Sequence, residues 1–143
     1  MDMDLNLVVY TGDISRHWDP VADDVWGVGI TWDMVHACLS DVSLRIDTPV
    51  GANSDDPMIH AGRIAWLAMN SWPDPVQLEF THQGFRVEDG NHRLAAAILR
   101  GDMFIEVSIG GYLDIAEEFL GSRAGFRNAD CNLEDSDHEL EPC

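Results

Sequence analysis

Hydrophobic and polar positions along the chain repeat with two different periods, and the changes between them divide it into elements. Leu5-Asn6-Leu7-Val8-Val9-Tyr10 has strand character, and Thr11-Gly12-Asp13 closes it with turn formers. Ser15-Arg16-His17-Trp18-Asp19-Pro20 either lines a pocket or anchors a loop through Trp18, and Val21 to Ile30, with Gly27 and Gly29, fits no regular element. Thr31 suits the N-cap of a helix in which Trp32, Val35, Cys38 and Leu39 share one core-facing stripe, with His36 half-buried beside it. Val42, Leu44 and Ile46 alternate with Ser43, Arg45 and Asp47, which predicts a half-buried strand. Asp56-Pro57 supplies an N-cap and an N1 proline for a helix that turns Ile64, Leu67 and Ala68 inward. His60 and Arg63 lie one turn apart near its start and are either ligand contacts or surface residues. Val76, Leu78 and Phe80 bury one face of a strand, Thr81-His82-Gln83-Gly84 makes a hairpin turn, and Phe85 to Glu88 returns.

The stretch from Arg86 to Gly101 carries the chemistry. It reads as a strand end, a tight turn at Asp89-Gly90, and a helix from Asn91 to Arg100 stopped by Gly101. A strand that feeds a helix through a glycine leaves the first helical N–H groups unpaired, and those groups form an anion site. His92 and Arg93 add side-chain donors beside them. Beyond the stop, Phe104 to Ile109 is a two-faced strand ended by Gly110-Gly111. Tyr112 to Leu120 is an amphipathic helix with Ile115, Ala116, Phe119 and Leu120 inward, stopped by Gly121.

From Asp56 to Gly111 the chain resembles the ParB/sulfiredoxin superfamily. The likeness rests on an amphipathic helix (Ile59 to Asn70), a hairpin, the Asp89-Gly90-Asn91-His92-Arg93-Leu94-Ala95-Ala96-Ala97 turn and helix, a glycine and a strand. The resemblance implies a single α+β domain with a small mixed sheet packed with helices. It divides the chain into an N-terminal addition (residues 1–40), the core with its C-terminal helix (41–127) and an acidic tail (128–143). It also implies nucleotide phosphates at the turn, held by Gly90, Asn91, His92 and Arg93. Two departures narrow the function. Asn91 stands where sulfiredoxin-like members place a nucleophilic cysteine, and no helix-turn-helix region follows the core as it does in partition proteins, which argues against sulfinic acid reduction and against a DNA clamp.

Charge changes the picture most. The chain holds 26 acidic residues against 8 basic ones, a formal net charge of −18, and every basic residue is Arg. Absence of Lys excludes a Walker-type phosphate lysine and a Schiff base. The negative field opposes direct DNA or RNA binding, whose affinity is built from cations on phosphates. The resemblance implies a nucleoside triphosphate with Mg²⁺ as cofactor or substrate, with Glu88 or Asp89 ordering the metal or the attacking group, unless Asp89 is taken up in capping the turn, and with His92 completing the catalytic set. The rival reading is a non-enzymatic inhibitor or adaptor, one form of it a DNA mimic, whose acids meet a basic, nucleic-acid-handling protein. Salt adaptation is a third source of such acidity. The six histidines show no recurrent metal-ligand spacing. Cys38 reads as core, with Cys131 and Cys143 as tail thiols. The acidic start Met1-Asp2-Met3-Asp4 and the lack of a long apolar run predict a cytoplasmic protein with no membrane contact. The final sixteen residues hold six acids and no Arg, which predicts a disordered arm.

Overall fold

The computed structural model describes residues 5–72 and 74–120, so the expectations for Gly121, Cys131, Cys143 and the acidic arm lie outside the described residues. The fold is α+β and its described residues comprise two units, one formed by residues 5–14, 75–90 and 103–120, the other by residues 15–72, 74 and 91–102. Among the described residues no helix is long and apolar enough to cross a membrane.

The first unit is a four-stranded mixed sheet of β1 (Leu5–Tyr10), β2 (Val76–Thr81), β3 (Gly84–Asp89) and β4 (Phe104–Gly111) in the order β1-β4-β2-β3. β1 and β4 are antiparallel, β2 and β3 form the expected hairpin, and β2 runs parallel to β4. Period-two patterning explains the burial: Leu7, Val9, Val76, Leu78, Phe80, Ile105, Val107 and Ile109 are all buried. A C-terminal helix, Leu113–Leu120, buries Ala116 and Leu120, and its Phe119 ring lies 5.8 Å from Phe80 and 5.2 Å from Phe85. Gly110-Gly111 does not end β4 as expected but forms its last positions, paired with Glu79 and Phe80. Gly111 has φ 83°, and a Cβ there would strike the Phe80 carbonyl, so glycine lets the two strands stay in register to the end.

The second unit is helical. Numbering helices in chain order, α1 is Thr11–Ser15, α2 Trp32–Ser40, α3 Pro57–Ala68, α4 Asn91–Arg100 and α5 the C-terminal helix already described. Both expected caps are present: Thr31 Oγ1 accepts from Met34 N at 3.2 Å, and Asp56 Oδ1 accepts from Met58 N at 2.9 Å behind Pro57. Val21, Ile30, Val35, Cys38, Ala61, Ile64, Ala65, Leu67, Ala68, Ala95 and Ala96 form the unit's core. Arg45 donates to the Cys38 and Leu39 carbonyls at the end of α2. Arg100 donates to Leu67, Ala68 and Asn70 carbonyls at the end of α3. Both meet the need of helix C-termini for donors.

Three local expectations are corrected. Thr11-Gly12-Asp13 begins the short helix α1 instead of a turn. His36 is exposed, not half-buried. The alternation over Val42–Asp47 is not a strand: Val42–Leu44 is a 3₁₀ turn with Val42 71% exposed. The cause is Asp41, whose carboxylate accepts from Ser43 N and Ser43 Oγ and so ties up the local backbone in a capped turn. The chain after it runs along α3, where Ile46 N donates to the Gly62 carbonyl at 3.1 Å.

That contact explains a glycine inside α3. A Cβ on Gly62 would overlap the Leu44 carbonyl oxygen and press on the Ile46 side chain. Helix propensity alone favours Gly62→Ala by about 1 kcal/mol, whereas overpacking against backbone costs about 1–3 kcal/mol. Gly62→Ala is expected to lower the thermal midpoint by several degrees, measured by circular dichroism; a midpoint at or above wild type would contradict the packing described.

Candidate functional site

All of the side chains described next belong to the helical unit. α3 presents His60 and Arg63 one turn apart, and α4 presents Asn91, His92 and Arg93 in its first turn. His60 is completely buried, which settles against its surface alternative. Its Nδ1 lies 2.8 Å from His92 Nε2, and its Nε2 lies 2.8 Å from the Ser54 carbonyl oxygen.

These two bonds fix the protons. A carbonyl oxygen only accepts, so His60 Nε2 carries a hydrogen. A neutral His60 then has a bare Nδ1, which must accept from Nε2–H of His92, and a neutral His92 is left with a bare Nδ1. Only one arrangement of two neutral rings satisfies both contacts. The ring planes lie 10° apart with centroids 5.1 Å apart, the separation that a 2.8 Å N···N bond leaves between imidazoles meeting edge to edge. They are coplanar partners and not a stack.

The stacking partner is Trp26. Its ring centroid is 4.5 Å from that of His60 and 4.6 Å from that of His92, at 20° and 19°. Near-equal distances place the indole across the hydrogen bond itself, closing one face of the pair. The loop that delivers Trp26 is organised by carboxylates. Asp24, at φ 49°, accepts from the N–H groups of Val28, Gly29 and Ile30, and Asp19 accepts from Val21 and Ala22. Those backbone donors, that of Gly29 foremost, hold the Asp24 carboxyl below its ordinary range. Trp18 serves as a loop anchor, its Nε1 donating to Asn91 Oδ1 at 2.8 Å. Asn91 is thereby tied to the preceding loop.

Electrostatics around the pair are cationic. Burial foremost, then the charges of His60, Arg63 and Arg93, push His92 from 6.5 down to about 3, so its ring is neutral at physiological pH. Arg63 donates to the Ile46 carbonyl at 3.3 Å and its guanidinium lies 5.0 Å from the Trp66 ring centre. Burial is the main influence lowering its pKa; the charge of Asp47 opposes that influence and the charge of Arg93 adds to it. Two guanidinium charges and the neutral His92 ring thus share one region of a protein with net charge −18. Such a region attracts an anion.

Glu88, Asp89 and Gly90 belong to the sheet unit. Glu88 is ion-paired with Arg86 on β3, Asp89 is the last residue of β3 opposite Gln77, and Gly90 has φ 102° where the chain turns toward Asn91. Among the described residues no three His, Cys, Asp or Glu side chains form a group able to hold a metal ion. Sequence reasoning missed Trp26 and Ser54. The turn-forming Asp19 and Asp24 around Trp26 were the signal for the first, and a backbone carbonyl leaves no signal at all. No family model, curated protein or solved structure matches the chain.

The His92 shift has a sign that can be checked. Between pH 6.5 and about 3 the unfolded chain binds a proton that the folded ring refuses, so stability is full above pH 6.5 and falls as pH falls through this window. The loss amounts to a few kcal/mol at the acid end. His92→Gln, which cannot titrate, should show a flatter decline of thermal midpoint between pH 6.5 and 4; parallel wild-type and variant profiles would refute a buried neutral His92.

Proposed function

We propose that the helical unit binds the phosphate groups of a nucleotide at the first turn of α4, in a cytoplasmic protein. Arg93 and the early backbone N–H groups of α4 hold the anion, with Arg63 adding charge from α3. Asn91, anchored by Trp18, and His92, anchored by His60, border it. The observation that carries this reading is the His60–His92 hydrogen bond at the first turn of α4, where the charges of Arg63 and Arg93 both act on the His92 ring.

Hydrolysis or phosphoryl transfer fits such an arrangement. In that chemistry the protein chiefly positions the phosphates and offsets charge that develops on their oxygens. Guanidinium forks suit phosphate geometry better than the absent lysines would. Mg²⁺ would enter with the nucleotide, bound largely by the phosphates themselves.

Thermal unfolding against a panel of nucleoside triphosphates, with and without Mg²⁺, tests the reading. A ligand at ~100 times its dissociation constant adds about 2.7 kcal/mol and raises the midpoint by several degrees. The shift is expected for wild type and expected to be lost in Arg93→Gln. No shift with any nucleotide would overturn the reading and favour the acidic-adaptor alternative, in which the −18 surface meets a basic protein.

A further inference from the structure

We infer that the His60–His92 pair is a proton acceptor controlled by the anion site: it takes up one proton, at Nδ1 of His92, when a dianionic oxyanion lies against Arg63 and Arg93. The inference rests on the phosphate reading above and adds to it the acid–base group of that site.

Geometry identifies the atom. In the neutral pair, Ser54 O and the N···N bond account for three of the four ring nitrogens, and only His92 Nδ1 is left without a hydrogen-bond partner among the described residues. The His92 side chain is half-buried, not fully enclosed. Adding one proton from solvent forms an N–H bond there and breaks no other contact. The positive charge need not stay on His92, because the bridging proton can move along the N···N bond, leaving His60 as the imidazolium with both its N–H groups still bonded. Either position of the bridging proton keeps Nδ1 of His92 protonated, so both belong to one macroscopic protonation event. Trp26 lies over the shared bond at nearly equal distances from both rings, and an indole face favours the cation wherever it resides.

Charge identifies the trigger. The charged groups around the pair are Arg63 from α3, Arg93 from α4 itself, and Asp24 from the Trp26 loop, with Asp47 acting on Arg63. Without ligand the two arginines oppose a third positive charge. A dianion beside them reverses that opposition, so anion and proton bind cooperatively and each strengthens the other. The pair is thus poised to gain or give a proton only when the phosphate site is filled. His60 is a positioning residue here, since it acts by setting the tautomer of His92.

Sulfate is the appropriate probe because it mimics a phosphate dianion yet does not titrate near neutrality. Ring-nitrogen NMR of the full chain should show His92 as the Nε2–H tautomer with bare Nδ1 at pH 7.5. Sulfate, compared with chloride at equal ionic strength, should raise the proton affinity at His92 Nδ1 at least tenfold while shifting the amides of Asn91, His92 and Arg93. His60→Gln keeps an acceptor for His92 and a donor for Ser54 and should preserve the tautomer, whereas His60→Phe should scramble it. Amide shifts without a change in His92 proton affinity would overturn this inference and leave the phosphate reading standing. An Nδ1–H tautomer in the free protein would also overturn it. Absence of any sulfate effect on α4 would overturn both.

Discussion

The hydrogen bond between His60 and His92 is the constraint on which the helical unit's chemistry depends. It ties the first turn of α3 to the first turn of α4 across a 2.8 Å contact between two imidazole rings. A buried polar pair is tolerable only when its members are satisfied. Here each neighbour contributes to that condition: Ser54 offers a carbonyl to His60, and Trp26 covers the pair's face. The carboxylates of Asp19 and Asp24 accept from backbone donors and brace the loop bearing Trp26. Small residues on α3 and α4, among them Ala61, Ala65, Ala95 and Ala96, fill the core beside it without competing polar groups.

The arginines show how a strongly acidic chain allocates its few cations. Arg45 and Arg100 neutralise carbonyl ends of α2 and α3, and Arg100 also pairs with Asp102 and stacks on Trp72 at 4.4 Å. Arg86 pairs with Glu88 on β3. These are structural uses, and each matches a cation to an oxygen nearby. Arg63 differs because it feels the charge of Arg93 as well as its own partners. Like charges brought together in a partly buried region cost stability, and such costs concentrate at functional sites.

Much of this was legible in the chain. The caps Thr31 and Asp56-Pro57, the hairpin, the helix from Asn91 to Arg100 and the stop at Gly101 follow from local rules that depend on a few adjacent residues. The Val42–Asp47 segment misled because its alternation is real while its backbone is claimed by the Asp41 side chain. Gly62 could not be read as a packing device, since the carbonyl it admits comes from Leu44, eighteen positions earlier. The site was visible in halves. His92 and Arg93 stood in a motif, and His60 and Arg63 stood on a helix with two open roles. Nothing local says that residues 32 apart share a hydrogen bond, or that an indole from an unassignable loop lies across it.

The most direct test of the central claim is a crystal structure of the protein grown with a non-hydrolysable nucleoside triphosphate and Mg²⁺. The account predicts phosphate oxygens within hydrogen-bonding distance of the Arg93 guanidinium and of backbone N–H groups in the first turn of α4, with the His60–His92 bond and the Trp26 cover intact. Triphosphate bound elsewhere on the chain, with the first turn of α4 in contact with solvent alone, would contradict it.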